Sequence, residues 1–162
     1  MFFFTPENTE LIARKMEVND NVLPASNSVM ANNLLTLSYY YQKSEYREMS
    51  RQMLLNVYDG MEMYGSGYSN WARLLVRFFT HDEELCIFDR GSVNAVQNGL
   101  KNCPYPVLTS LWSKDSKLPI HLNHTESKGT VQVCSNGICH PPLSNLEEAF
   151  SIIIQSQLGK TS

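Results

Sequence analysis

The spacing of apolar and polar positions divides the chain into a helical first half and a mixed second half. Residues 1–25 read as irregular, with Pro6 and Pro24 as breakers and a short helix over 9–14. Pro24 to Ser28 reads as a helix entrance, with Ser26 or Asn27 as cap. Met30, Leu34, Leu37 and Tyr41 then recur at helical spacing as far as Gln42. A second stripe of Tyr46, Met49, Met53, Leu54 and Val57 predicts a helix from Ser44 to Tyr58. The short connection at Lys43-Ser44 makes the two antiparallel neighbours. Gly60, Gly65 and Gly67 loosen the next segment, and Trp71, Leu74, Leu75, Phe78 and Phe79 predict a third helix over 69–80.

The pattern changes at His81-Asp82-Glu83-Glu84. The compact apolar run over 85–89 predicts a buried strand, residues 92–102 a short helix, and 106–112 a second strand. Strand, helix, strand predicts a parallel crossover. A polar connection comes next, with an edge piece at Pro119-Ile120-His121-Leu122. The alternating segment 130–134 predicts a strand leading into Asn136-Gly137, a two-residue hairpin signal. Ser144-Asn145-Leu146-Glu147 reads as a capping box with Ser144 as cap, before a last helix carrying Leu146, Ala149, Phe150, Ile153 and Ile154 on one side. The expected fold class is α+β: N-terminal antiparallel helices over 1–82, then a small mixed α/β unit with about three strands over 83–162.

Composition narrows the function classes. The net charge is −3, with both signs spread along 162 residues. There is no basic stripe for nucleic acid and no basic amphipathic helix for a membrane surface. Met1-Phe2-Phe3-Phe4-Thr5-Pro6 lacks a basic opening, so a signal peptide is not expected and the chain reads as cytoplasmic. The sequon Asn123-His124-Thr125 is then accidental.

The hairpin carries the main candidate chemistry. With Asn136 and Gly137 at the turn, Cys134 faces Cys139 across a non-hydrogen-bonded pair, where Cα atoms stand roughly 4.5 Å apart. The two thiols are therefore predicted to touch. Three readings are open: a structural pair of reduced thiols, a redox-active disulfide made reducible by its short span, or a metal site. The metal reading adds His121 and His124 to Cys134 and Cys139, but His-x2-His with Cys-x4-Cys is no familiar finger, so no resident metal and no cofactor is expected. His140 is adjacent in sequence but points to the opposite face of its strand. Cys86 reads as an inert core thiol and Cys103 as a free loop thiol.

A second constellation is Asp20, Asn21, Asn27 and Ser28, read either as turn-closing and capping residues or as groups that bind sugar hydroxyls. No second carboxylate pairs with Asp20 to complete a glycosidase site. The run Tyr39-Tyr40-Tyr41 covers most sides of its helix, which predicts a surface for self-association or for packing against further chain.

Three stretches carry a family resemblance: Phe3-Phe4-Thr5 through Leu11-Ile12-Ala13-Arg14-Lys15, Asp20-Asn21-Val22-Leu23-Pro24-Ala25-Ser26-Asn27-Ser28-Val29, and Val133-Cys134 to Cys139 with Pro141. Together they resemble the C-terminal end of the YyaL-like family of thioredoxin-domain-containing proteins, which includes the spermatogenesis-associated relatives. The resemblance implies a partial α/α toroid of the six-hairpin glycosidase type, followed by a small C-terminal unit. It implies a carbohydrate-active or carbohydrate-binding protein with a sugar as ligand, and a segment without a complete active site of its own. The family's Pro-Ser-Gly-Asn-Ser stands here as Pro24-Ala25-Ser26-Asn27-Ser28, losing one hydroxyl and filling the glycine.

Overall fold

The computed structural model describes residues 1–3, 15–80, 83–122, 124, 129–135 and 138–158. The expected helix over 9–14 and the Asn136-Gly137 turn lie outside the described residues. The chain forms two compact units, residues 1–76 and 77–162.

In the first unit, α1 (Ser26–Tyr40) and α2 (Ser44–Leu55) form the expected antiparallel pair. Their contacts run in opposite directions, Tyr39 with Arg47 and Ala31 with Ser50. The buried face of α1 differs from the expected stripe. Ala31, Leu34, Leu35 and Ser38 are buried, whereas Met30, Leu37 and Tyr41 are exposed. Size decided this, because small residues let two helix backbones approach. The buried Ser50 hydroxyl reaches the Ala31 carbonyl at 2.7 Å.

The turn between the helices is a Schellman motif. Lys43 N–H bonds the Ser38 carbonyl at 3.1 Å, and Gln42 N–H bonds Tyr39 at 3.3 Å. It places Gln42 at φ 50°, a conformation that favours glycine. The second helix stops at Leu55, short of the expected Tyr58, and the chain restarts as α3 (Tyr58–Met63). After a 3₁₀ turn over Gly65–Tyr68, α4 (Ser69–Phe79) buries Trp71 and Leu74 in this unit. The Trp71 indole donates to the Val18 carbonyl at 2.7 Å.

The second unit is built on a four-stranded mixed sheet in the order β2-β1-β3-β4, one strand more than expected. The strands are β1 (Glu83–Ile87), β2 (Val107–Leu111), β3 (Val131–Ser135) and β4 (Ile138–Cys139). β1 pairs parallel with β2 through α5 (Val93–Leu100), and antiparallel with β3, which pairs antiparallel with β4. α6 (Leu146–Leu158) closes the chain. Its cap is Asn145, not Ser144: the Asn145 side-chain oxygen accepts from Glu147 N–H at 2.9 Å. The expected edge piece at 119–122 is instead a 3₁₀ turn over Pro119–His121. Proline supplies no N–H for a sheet edge, and its fixed φ suits a helical first position.

Strand alternation gives the sheet two different faces. Leu85, Ile87, Val131 and Val133 point to one side and form the core with Val96, Ala149 and Ile153. Each Val, Leu and Ile of this set contributes about 1.5–3 kcal/mol by leaving water. Phe150 closes over Gly99, where an added Cβ would clash with the ring. β1 begins at Glu83, two residues before the expected strand. That buried carboxylate accepts from Ser135, from Ser156 at 2.8 Å and from Gln157 at 3.0 Å. The opposite face carries Glu84, Cys86, Ser110, Gln132, Cys134 and Cys139, and it holds the candidate site.

Candidate functional site

One row across the sheet places Glu84 opposite Cys134 and Cys134 opposite Cys139. The His140 N–H to Val133 carbonyl bond, 2.9 Å, makes 133/140 a hydrogen-bonded pair, which leaves 134/139 as the close, non-hydrogen-bonded pair expected from the sequence. Cys134 and Cys139 form a disulfide with Cα atoms 4.0 Å apart. Cys134 is buried, while Cys139 is half-buried on the edge strand. Any attacking thiol therefore meets Cys139 first.

The sequence did not connect His124 to a carboxylate, and the fold does. Its ring is buried, and one of its nitrogens and both cysteine sulfurs lie within 4.8 Å of one another. Nδ1 is 2.7 Å from the Gln132 side-chain oxygen, and Nε2 is 3.1 Å from Glu84 Oε1. The Gln132 amide has no freedom to flip, because its nitrogen donates to the His140 carbonyl at 2.8 Å, which only accepts. Gln132 oxygen must then accept, so His124 Nδ1 carries a proton. The proton between Nε2 and Glu84 belongs to either partner. Burial pushes the Glu84 carboxyl above its ordinary value, and the His124 contact partly offsets that rise. Phe88 stands edge-on to the ring at 6.1 Å and Trp112 edge-on to Phe88 at 5.9 Å, an aromatic flank that leaves Glu84 only partly exposed.

His121 packs edge-on to His124, centroids 6.4 Å apart. Its Nδ1 meets the Ser116 hydroxyl at 2.6 Å, and its buried Nε2 has no hydrogen-bond partner among the described residues. Burial first, and His124 second, hold its pKa below the ordinary value. Cys86 lies on the same face against the Ser110 hydroxyl, with its thiol pushed up to about 11 by burial, so it stays protonated and inert. His140 is exposed and contributes its backbone carbonyl. Of the sequence candidates, the fold thus gathers Cys134, Cys139 and His124, with His121 alongside. Glu84 and Gln132 were missed. Their signal is parity, since both sit at even positions on strands with Cys134, but it needs the β1–β3 register to become visible.

The other constellation has a different character. Asp20 is buried and accepts three bonds: from Ala25 N–H at 2.8 Å, the Ser28 hydroxyl at 2.7 Å and Asn70 N–H at 2.8 Å. Ser28 accepts in turn from the Asn70 amide at 2.9 Å. Neither Ser26 nor Asn27 caps α1; Ala25 holds the cap position, and Asp20 and Glu17 supply the acceptors from the preceding loop, Glu17 taking Ser26 N–H at 3.0 Å. Two carboxylates there also suit the positive end of the helix dipole. The Asn27 amide holds both backbone groups of Phe2 and the Glu17 carbonyl. Asn21 is exposed. The fold brings Asp20, Asn27 and Ser28 to one helix start, where their polar atoms are engaged with the protein itself.

A groove of about 520 Å³ between Gly99, Cys103, Phe150 and Ile154 lies on the helical side of the sheet, away from the disulfide row. No helix among the described residues is long and apolar enough to cross a membrane. No protein-family model, curated protein or solved structure matches the chain.

Proposed function

We propose that the second unit is a thiol–disulfide exchange centre, in which Cys139 takes the attacking thiol, Cys134 leaves, and His124 with Glu84 supplies the proton. The observation that supports it is the Glu84–His124 contact beside the disulfide, with the Nδ1 proton fixed by Gln132. An incoming thiolate attacks Cys139 sulfur and the S–S bond breaks. Its electron pair goes to Cys134 sulfur, which takes the proton from His124. A second thiol resolves the mixed disulfide, so two thiols are oxidised as the pair is reduced. Burial makes a bare Cys134 thiolate costly, which is why a proton donor beside it matters. The cytoplasmic location expected from the sequence belongs to this proposal, since exchange there requires a pair that the glutathione pool can reduce.

The test is the rate at which dithiothreitol reduces the pair, followed by alkylation and mass shift. His124→Gln is expected to slow it by roughly 100-fold. An unchanged rate, or a midpoint potential below about −300 mV, would falsify exchange and leave a structural bridge.

A second proposal builds on the YyaL-like resemblance: the α1–α2 pair is one hairpin of a sugar-binding toroid, packing against a neighbour. Its support is the outward face of that pair, where Met30, Leu37, Tyr41 and Met49 are exposed. A monosaccharide panel that leaves the melting temperature unmoved would remove the sugar from this proposal. A monomer at high concentration would count against self-association.

A further inference from the structure

We propose that the reduced form of this pair is a zinc site, with Cys134, Cys139, His124 and Glu84 as its four ligands. The inference rests on the exchange reading in one respect: the disulfide must open before either sulfur can bind.

Opening it frees two sulfurs already within 4.8 Å of a His124 nitrogen. Two sulfurs on one zinc stand about 3.8 Å apart, from bonds of about 2.3 Å at the tetrahedral angle. Cross-strand cysteines reach that spacing by rotating their side chains, with no change in strand register. The second pair of donors is already spaced for a metal. Glu84 Oε1 and His124 Nε2 are 3.1 Å apart, against about 3.3 Å for nitrogen and oxygen sharing a zinc. Cys134, Cys139 and His124 already cluster within 4.8 Å; Glu84 lies outside that cluster and, in register with Cys134 on the same sheet face, must swing in to complete the set.

The arrangement also has the supporting shell that zinc-binding histidines use. Gln132 oxygen takes the Nδ1 proton and fixes Nε2 as the lone-pair nitrogen, and the His140 carbonyl fixes Gln132. A dication further removes the cost of two thiolates in a buried place. Reduction by two external thiols gives one external disulfide and the dithiol. Zinc then displaces both thiol protons and the proton shared by His124 and Glu84 to solvent, with no change in oxidation state. Oxidation of the pair ejects the metal, so metal content tracks redox state.

The experiment titrates the reduced full chain with Co²⁺, read as thiolate charge-transfer and tetrahedral d–d absorption, and then displaces the Co²⁺ with Zn²⁺. The expected result is one equivalent bound to the reduced form and none to the oxidised form. Cys139→Ser and His124→Ala lose the spectrum, Gln132→Ala weakens binding by roughly 10–100-fold, and Cys103→Ala binds as wild type. Circular dichroism of each variant confirms that it is folded. A reduced protein that cycles with dithiothreitol but shows no cobalt spectrum overturns the zinc site and leaves exchange standing. A protein that binds Co²⁺ yet never forms the disulfide overturns exchange and keeps the ligand set. Binding that survives Glu84→Gln but is lost in His121→Ala overturns Glu84 as the fourth ligand.

Discussion

Two buried polar clusters, one in each unit, use similar residues to opposite ends. Around Asp20, three donors meet the carboxylate, and the Ser28 hydroxyl, also within reach of the Ala25 carbonyl, accepts from the Asn70 amide. Around His124, the Nε2–Glu84 hydrogen bond can be made with the proton on either partner, and His121 keeps a buried nitrogen without a partner among the described residues. The first cluster directs these hydrogen bonds to the protein itself. It ties the loop before α1, the helix start and Asn70 into one piece, and its effect is stability. The second retains a movable proton beside a bond that can be broken. A saturated network braces; an unsaturated one keeps groups free for chemistry.

The largest expected effect tests the brace. Asp20→Ala strands two backbone N–H donors, while the Ser28 hydroxyl can turn to the Ala25 carbonyl, and should cost about 2–5 kcal/mol in urea unfolding. A cost below about 1 kcal/mol would mean that water replaces the carboxylate, and the cluster would lose its structural meaning.

Next comes pH, which should act on the second cluster with two opposed signs. The Glu84 carboxyl is raised from an ordinary value of 4.5, so its contribution is present below that pH and is lost as pH rises through the folded value. Glu84→Gln should therefore be more stable than wild type at neutral pH, with the gain vanishing below about 4.5. His121 is lowered from 6.5, so wild type loses stability as pH falls below 6.5, toward the folded value. His121→Phe should flatten that acid limb in thermal melts recorded from pH 7 to 5. Equal pH slopes in wild type and both variants would remove the electrostatic contrast between the clusters.

The smallest effect is a control outside both clusters. Gln42→Gly relieves a left-handed residue in the α1–α2 turn and should stabilise the protein by about 0.5–1 kcal/mol, with thiol reactivity unchanged. A loss of stability instead would mean that the Gln42 side chain makes a contact worth more than the strain.

Legibility tracked the range of the interactions. The α1–α2 pair, the β1–α5–β2 crossover and the Cys134/Cys139 pairing join elements consecutive along the chain, and periodicity with turn chemistry was enough to read them. The faces of α1 were misread because hydrophobicity was weighed and size was not: Ala31 and Ser38 went inside, and Met30 stayed out. The caps were misread because their acceptors come from elsewhere, Asp20 and Glu17 upstream of α1, and Asn145 one residue away from Ser144 at α6.

By itself, the sequence determined the α+β composition, the helix-then-sheet order and the meeting of the two cysteines, since each depends on local spacing. Only the tertiary structure decided what stands beside them. Glu84 is 40 residues from His124 along the chain, and no pattern of apolar positions carries that distance. The β1–β3 register set Glu84 opposite Cys134, and the Pro119–His121 turn sets the segment carrying His124 over that face. Strand register is a collective property of the packed sheet, and it turned a cysteine pair into a candidate centre with a proton of its own.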